Sequence, residues 1–361
     1  MLLLIHSLDY GGAERVIVDM ARNLDSAGYK VAICAFSDKL GLGKEFEETS
    51  VDLYILEKRS RFDLMLVVRL TRLMRRLRPD VVSMHCRDAL HFGTPACLLA
   101  RVPRRIATEH SVGSGTSQFL NSLAYRMSLP TWTAAVAVSE FLKELMLRKW
   151  HLPAEKVRVI YNGIDLSRLQ PGTDSTYIRR ELGLPSEARI VGNVATLKKE
   201  KGLDDFLEIA AAIAPRNKWV HFVLIGGGPL VSHLVSRAAQ LGLSARLHLM
   251  GTRADIADLV AGFDVFLCTS EVETFGLAVV EAMYLRVPVV AFDVGAMKEV
   301  IFDGVDGFLV KPRDIDNAAA RVMSLIENPR LSEMIGAAAR ESVETRFSIH
   351  TMVREYERLF F

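Results

Sequence analysis

Residues 265–283 read Val-Phe-Leu-Cys-Thr-Ser-Glu-Val-Glu-Thr-Phe-Gly-Leu-Ala-Val-Val-Glu-Ala-Met. The apolar run 265–268 predicts a buried strand, the polar residues after it predict a loop, and Gly276 permits that loop to enter a helix. A strand followed by a loop and a helix is the repeating unit of doubly wound parallel sheets. This segment therefore predicts one βα unit of an α/β fold.

The same alternation of short apolar runs and helix-period stretches continues along the chain in two series. In the helical stretch 12–27, for example, Val16, Met20 and Leu24 share one face. The first series predicts strands at residues 2–5, 31–36, 81–84, 105–108 and 134–137. The second series predicts strands at residues 190–193, 221–225, 246–249, 265–268 and 288–292. Two doubly wound, Rossmann-like domains follow from this arrangement.

The length of 361 residues accommodates two such domains. We predict the first domain at residues 1–165, a linker rich in Pro, Gly and Ser at 166–188, and the second domain at 189–340. Residues 341–361 are expected to form a C-terminal helix that packs back toward the first domain. Ligands of such folds bind at the carboxyl ends of the strands, so we expect a central cleft that both domains line.

Composition excludes several classes of protein. The net charge of +2 shows no large excess of basic residues of the kind that binds nucleic acid. Half of the residues are apolar, as in globular proteins. None of the four cysteines forms a CxxC pair, which favours a reducing compartment. The first residues lack a basic region and a long apolar run, so they do not resemble a signal peptide. No apolar stretch approaches the roughly 20 residues of a membrane-spanning helix, and we expect a cytoplasmic protein.

Two glycine-rich turns are candidates for phosphate contacts. Gly11 and Gly12 follow the first strand and open a helix, where free N–H groups attract an anion, although a tight turn that needs positive φ explains them equally well. Gly226 begins a run of three glycines, but Val231 occupies the last position of G-x-G-x-x-G. The incomplete fingerprint argues against a dehydrogenase.

Two glutamates in the opening segment are candidate ligand contacts. Glu273 is expected in the loop, and Glu281 on the following helix among apolar residues. A buried carboxylate needs hydrogen-bond donors, which a ribose diol supplies; an arginine such as Arg286 is the alternative partner. The amides of Phe275, Gly276 and Leu277 lie where a helix start stabilises a diphosphate.

No metal site is expected. The one D-x-D sequence, Asp314-Ile315-Asp316, follows Pro312 and predicts a helix cap rather than a metal ligand. His85 and His91 are six residues apart and receive no functional assignment.

The helical stretch 62–78 carries an apolar stripe and, on another face, Arg69, Arg72 and Arg76. A basic amphipathic helix of this kind either lies on an anionic membrane or is a core helix with solvated arginines.

The order and spacing of several motifs resemble those of retaining glycosyltransferases of the GT-B fold, of the family-four (glycosyl transferases group 1) type, which builds bacterial surface polysaccharides and glycolipids. The resemblance covers the full length and rests on Gly11-Gly12-Ala13-Glu14, Thr108-Glu109-His110, Val138-Ser139-Glu140, Ile160-Tyr161-Asn162-Gly163-Ile164-Asp165, Lys201-Gly202, Gly226-Gly227-Gly228, and Glu273 with Glu281.

The resemblance implies a role for individual residues. Glu273 would contact the hexose hydroxyls, Glu281 the ribose and Lys201 the diphosphate. The amide of Gly12 would touch the phosphate, and His110 would lie near the reacting sugar. Gly11, Gly226 and the amides at 275–277 complete the donor site. The interdomain turn at 162–165 would be structural.

The resemblance also implies the reaction. A nucleotide sugar, with a UDP-sugar as the default, would bind the second domain, and a glycan or lipid-linked acceptor the first. No cofactor and no metal are expected, because Lys201 and the helix start would stabilise the leaving diphosphate. The absence of an evident nucleophile fits departure and attack on the same face of the sugar. Acceptor choice would reside in loops such as 111–120.

One position departs from the family pattern. The arginine usually found five residues before the lysine is Thr196 here, which supplies no charged fork. Lys198 or Lys199 would compensate, or donor binding would be weaker or altered. Two other readings therefore stay open: a nucleotide-sugar epimerase of the GT-B fold, and a non-catalytic nucleotide-sugar-binding protein.

Overall fold

The computed structural model describes residues 1–47, 49–60, 63–111, 123, 125–170, 174 and 176–360. The chain forms two compact units, residues 1–164 together with 349–361, and residues 165–348. The described part of the expected linker, 166–188, belongs to the second unit, and its residues 171–173 and 175 lie outside the described residues. The acceptor loop expected at 111–120 also lies outside them, apart from Ser111.

Each unit contains one parallel sheet. The strands are β1 Leu2–Ile5, β2 Ala32–Ala35, β3 Asp52–Ile55, β4 Val81–His85, β5 Arg104–Glu109, β6 Ala134–Ala137, β7 Val157–Val159, β8 Arg189–Val194, β9 Val220–Ile225, β10 Leu247–Leu249, β11 Val265–Cys268, β12 Val289–Phe292 and β13 Phe308–Val310. The first sheet has the order β3-β2-β1-β4-β5-β6-β7, and the second the order β10-β9-β8-β11-β12-β13. Both orders are those of doubly wound, Rossmann-like sheets, as predicted.

Helices connect these strands. They are α1 Gly12–Ser26, α2 Leu64–Leu77, α3 Arg87–Ala100, α4 Glu140–Trp150, α5 Tyr177–Glu181, α6 Leu203–Ile213, α7 Val231–Gln240, α8 Ile256–Ala261, α9 Leu277–Tyr284, α10 Met297–Val300, α11 Ile315–Glu327, α12 Pro329–Arg346 and α13 Ile349–Glu357. Short 3-10 turns lie at Gly43–Phe46, Leu129–Thr131, Ala154–Lys156 and Lys199–Lys201. Within the described residues, no helix is both long and apolar enough to cross a bilayer.

The central strands are buried on both faces, which explains their continuous apolar sequences. Each residue of β1 is at most 1% exposed, and β1 pairs in parallel with β2 and β4. The ten predicted strands all exist, with ends that shift by up to one residue. The sequence prediction missed β3, β7 and β13. β3 and β7 are edge strands with exposed polar residues such as Asp52 and Arg158, so they lack the apolar run.

The last helix belongs to the first unit. Tyr29 donates a hydrogen bond to Glu357 (Oη to Oε1, 2.9 Å), and Asn23 Nδ2 lies 2.9 Å from His350 Nδ1. The Ile349 N–H donates to the Ile164 carbonyl at 2.9 Å. Because α12 ends at Arg346, the expected helix 341–361 is two helices, of which α12 belongs to the second unit.

The sheet order determines where ligands can bind within each unit. The direction of winding reverses between β1 and β4 in the first sheet and between β8 and β11 in the second, which leaves a crevice at the carboxyl ends of those strands. The glycine loop follows β1, and His85 ends β4. Lys201 follows β8, and Glu273 follows β11.

Candidate functional site

Lys201 and Glu273 form an ion pair at the crevice of the second unit. Lys201 Nζ lies 2.6 Å from Glu273 Oε1, and the two side chains are 27% and 13% exposed. Burial acts to lower the pKa of Lys201, but the Glu273 carboxylate outweighs it, so the pKa of the lysine is raised. Ser270 also donates to Glu273 Oε1, at 2.8 Å. The site therefore carries a charged lysine beside a carboxylate whose position is held twice.

Backbone packing fixes the two loops that carry this pair. Gly202 ends the Lys199–Lys201 turn with φ 58°, and a Cβ there would overlap the carbonyl oxygen of Thr269. Gly295 has φ 56°, and a Cβ there would overlap the carbonyl oxygen of Glu273, to which Ala296 N–H donates at 2.9 Å. Both positions require glycine, because a side chain meets both a strained φ and a backbone atom.

Glu281 is paired with an arginine that the sequence did not indicate. Arg168 donates to Glu281 Oε1 at 2.6 Å, and the two side chains are 22% and 13% exposed. The alternative of an arginine partner is therefore confirmed in kind, but Arg286, the example given, is the wrong residue: it is exposed and its backbone has φ 61°. The contact joins residues 113 positions apart, which is why spacing along α9 could not reveal it.

The helix start between the two glutamates has the predicted form. Gly276 has φ 90° and is the N-cap of α9, which begins at Leu277. Phe275 is 2% exposed, and its ring packs edge-on against Phe347 with centroids 5.3 Å apart. The first N–H groups of a helix have no partner within the helix. The start of α9, at Leu277, therefore provides donors shortly after Glu273 in sequence.

The packing of the backbone requires glycine at position 226. Its φ is 135°, and a Cβ would overlap the carbonyl oxygen of Ala195, while Leu197 N–H donates to the Gly227 carbonyl at 2.9 Å. The glycine run thus packs on the loop that follows β8. Thr196, at the departure from the family pattern, lies in that loop and is exposed, as are Lys198 and Lys199.

The glycine loop of the first unit differs from a tight turn. Neither Gly11 nor Gly12 has positive φ, so a tight turn that needs positive φ does not explain these glycines. Gly11 is extended, with φ −166°. A Cβ on Gly11 would overlap Oε2 of Glu14, which folds back over the start of α1. Burial raises the pKa of Glu14. The amide of Gly12 lies at the first position of the helix, and its contact with a phosphate stays a prediction.

His110 lies at the half-buried end of a chain of polar side chains. His85 Nδ1 lies 3.0 Å from His110 Nε2, and Ser83 Oγ lies 2.8 Å from His85 Nε2. Burial lowers the pKa of His110 to about 4. Burial and the neighbouring His110 both lower the pKa of His85. His85, for which no function was predicted, is therefore a direct partner of a predicted site residue.

Glu109 adds an uncharged carboxyl beside His110 in sequence. It is 5% exposed, and its Oε1 has no hydrogen-bond partner among the described residues. Burial raises its pKa to about 8, against a weaker opposite effect of the Arg87 guanidinium. The carboxyl ends of β4 and β5 therefore carry buried groups that are neutral at pH 7.

Two expectations concern metals and the D-x-D sequence. In the part of the chain that the structure describes, no group of three or more His, Cys, Asp or Glu residues could hold a metal ion. Asp314 caps α11 by accepting from the Asn317 N–H at 3.3 Å, which confirms the predicted capping role.

The chain matches two family models, one over most of each unit. Residues 10–168 match Glycosyltransferase Family 4, and residues 174–342 match Glycosyl transferases group 1.

Curated proteins are similar in sequence to this chain over most of its length. The chain is 31% identical to alpha-maltose-1-phosphate synthase of Mycolicibacterium smegmatis, over 72% of this chain and 71% of that protein. It is 25% identical to N-acetyl-alpha-D-glucosaminyl L-malate synthase of Bacillus anthracis, over 97% and 94%. A third relative, 26% identical over 82% and 79%, is the Escherichia coli UDP-Gal:alpha-D-GlcNAc-diphosphoundecaprenol alpha-1,3-galactosyltransferase.

Solved structures agree with these relatives. The Anabaena protein HepE (Alr3699), crystallised with UDP and glucose, has a TM-score of 0.88 and 25% identity, over 99% of this chain and 98% of that one. Its complex with UDP-glucose matches with a TM-score of 0.88 and 26% identity over the same shares. The chain therefore belongs to the family-four glycosyltransferases of the GT-B fold, which transfer a sugar from a nucleotide-sugar donor.

Proposed function

We propose that the protein is a retaining, metal-independent hexosyltransferase that uses a UDP-sugar and acts on a glycan or lipid-linked acceptor in bacterial surface polysaccharide synthesis. The observation that carries the proposal is the Lys201–Glu273 ion pair, with Nζ and Oε1 2.6 Å apart in the crevice of the second unit. The pair supplies a cation for a diphosphate and a carboxylate for sugar hydroxyls.

The leaving group is stabilised by fixed positive charge. When the bond between the anomeric carbon and the phosphate oxygen breaks, both electrons stay on the diphosphate. Lys201 remains protonated because its pKa is raised, and the first amides of α9 point their N–H groups out of the helix. Fixed charges of this kind need no rearrangement during the reaction. The acceptor oxygen attacks from the same face, and its proton passes to the leaving phosphate oxygen.

Glu281 and Arg168 complete the donor site. Arg168 holds Glu281 Oε1, which directs the carboxylate toward the ribose hydroxyls and offsets its charge near the diphosphate. UDP is the proposed nucleotide because HepE is solved with UDP and UDP-glucose, and because the E. coli relative is named for UDP-Gal.

The test combines donor screening with product stereochemistry. A panel of nucleotide sugars is screened by thermal shift, since a bound donor raises the apparent stability. The best donor is then assayed with sugar and lipid-linked acceptors, with and without EDTA, and the anomeric configuration of the product is determined by NMR. Retention and unchanged rates in EDTA are expected. An inverted product, or loss of transfer that only a divalent cation restores, contradicts the proposal. Formation of an epimer without acceptor supports an epimerase instead.

We further propose that the enzyme works in the cytoplasm and contacts the inner membrane through α2. The exposed side of α2 carries Leu64 and Met65 at its start, 77% and 58% exposed, and the exposed Arg72, Arg75 and Arg76 in its second half. Apolar and basic residues together suit an anionic bilayer surface. Flotation with anionic liposomes should recover the protein, and replacing the three arginines by Gln should abolish recovery. Absence from anionic vesicles at low salt contradicts this contact.

A further inference from the structure

Three side chains of the first unit, two of them fully buried, form a continuous hydrogen-bonded chain. Ser83 and His85, both on β4, are 0% exposed. Ser83 Oγ lies 2.8 Å from His85 Nε2, and His85 Nδ1 lies 3.0 Å from His110 Nε2. The two imidazole rings meet edge to edge, with centroids 5.3 Å apart and an interplanar angle of 27°. Both contacts of His85 therefore have the length of a hydrogen bond, and one proton must lie between the two atoms of each contact.

The Ser83 hydroxyl sets the direction of the chain. Its side chain makes one hydrogen bond in the described structure, the one to His85. If Ser83 accepted a hydrogen bond from His85, its own hydroxyl hydrogen would be buried without an acceptor, which costs about 1–3 kcal/mol. The hydroxyl therefore donates to His85 Nε2. A neutral imidazole has one N–H, so the proton of His85 is on Nδ1, which donates to His110 Nε2.

We propose that Ser83 and His85 hold His110 in the Nδ1–H tautomer, so that His110 does not act as a general base at the sugar. The lone pair of its Nε2 is occupied by His85, and its Nδ1 already carries a proton. His85 is thus a positioning residue. The functional part of this inference rests on the proposed transferase activity, whereas the tautomer itself does not.

Two further observations support the neutral, fixed ring. Burial lowers the pKa of His110 to about 4, so the ring carries a single proton at pH 7. The Tyr356 ring of α13 lies 6.4 Å from the His85 ring, and its hydroxyl pairs with Thr108 Oγ1 at 3.1 Å. His85 is therefore confined between His110 and Tyr356. A His110 without a free basic lone pair also agrees with a reaction in which the leaving phosphate, not an enzyme base, takes the acceptor proton.

The test measures the tautomer directly in the full-length protein. With 15N-labelled histidine, NMR distinguishes the protonated from the unprotonated ring nitrogens, and the His110→Asn variant assigns the signals. At pH 7.5 we expect His110 with Nδ1 protonated and Nε2 unprotonated. Protonation at Nε2 overturns the proposal.

Three variants separate positioning from simple structural support. His85→Leu removes the donor and should give a mixture of His110 tautomers. Ser83→Ala releases His85 and should shift His110 in the same direction but less. His85→Asn places an amide N–H near the former Nδ1 and should restore the wild-type tautomer. An unchanged tautomer in His85→Leu contradicts the role of His85.

The second unit contains a matched internal control. His221 Nδ1 lies 3.1 Å from His248 Nε2, a pair of the same kind on β9 and β10. The signals of this pair should not change in any of the three variants. A change there would indicate a general loss of structure.

Turnover of a UDP-sugar gives the functional measurement. His85→Leu should lower kcat about tenfold with little change in KM, by analogy with outer-shell partners that orient an imidazole, and His85→Asn should recover most of it. An unchanged kcat in His85→Leu overturns the functional part. If the tautomer is as expected but no UDP-sugar is turned over, the proposed function fails and the tautomer assignment stands.

Discussion

The two units differ in the charge of the polar side chains at the carboxyl ends of their strands. In the first unit, His85, Glu109 and His110 are kept uncharged at pH 7, because burial lowers the pKa of the histidines and raises that of the glutamate. In the second unit, Lys201 and Glu273 lie 2.6 Å apart as a charged pair. The neutral side chains of the first unit suit contact with an uncharged sugar or acceptor. The lysine of the second unit, which is paired with a glutamate, can instead turn toward an anion such as a diphosphate.

The difference predicts different vulnerabilities. A buried neutral group becomes unfavourable when the pH forces a charge on it. A charged pair becomes unfavourable when one partner is removed and the other is left alone. The first unit should therefore be sensitive to pH, and the second to single substitutions.

The largest effect is expected from Lys201→Ala. The leaving diphosphate would lose its nearest cation and Glu273 its partner, so transfer should fall by about 10²-fold or more, as when one preorganised donor is removed. Steady-state kinetics with a UDP-sugar measure the loss. The matched control is Lys298→Ala, which breaks a pair with Asp293 at an exposed position (Lys298 is 71% exposed) and should leave the rate unchanged. A near-normal rate in Lys201→Ala rejects the assigned role.

A smaller effect concerns the pH dependence of stability through Glu109. The pKa of Glu109 is about 8 in the folded state and near the ordinary 4.5 when unfolded. The folded state therefore holds a proton that the unfolded state releases, and this stability is complete below pH 4.5 and lost as the pH rises through 8. The loss is up to about 1.4 kcal/mol per pH unit, or roughly 2 kcal/mol between pH 6 and 8.

Glu109→Gln should remove this dependence and stabilise the first unit at pH 8. Urea unfolding, followed by the fluorescence of Trp132 and Trp150 in that unit, measures the change. Glu155→Gln, at an exposed position, is the control. Equal pH slopes for wild type and Glu109→Gln would show that this carboxyl ionises normally.

The smallest effect is expected from Arg168→Gln. Glu281 would lose the donor that holds Oε1, so binding of UDP should weaken about tenfold, a loss of 1.4 kcal/mol. Binding of 2′-deoxy-UDP should change less, because it lacks one ribose hydroxyl. Calorimetry of both nucleotides measures the effect, and Arg286→Gln should bind both like the wild type. Equal losses for the two nucleotides contradict a role at the ribose.

Much of this arrangement could be predicted from the sequence, and the rest has identifiable causes. Apolar runs located ten strands because most of those strands are buried on both faces, and Gly276 marked the start of α9 through its φ of 90°. Arg168 was missed because its pairing with Glu281, 113 positions away, depends on which segments the fold brings together. His85 was missed because spacing along one strand does not show the neighbouring strand β5, which carries the chain into His110.

Gly202 and Gly295 have a consequence for engineering the enzyme. Each leaves room for a backbone oxygen of the loop that carries Glu273, although neither has a side chain with which to touch a donor. A mutagenesis library aimed at a new sugar preference would overlook them if it varied only the side chains around the ligand. Such a library should keep both positions fixed, because a single methyl group at either one would displace the glutamate that the library seeks to exploit.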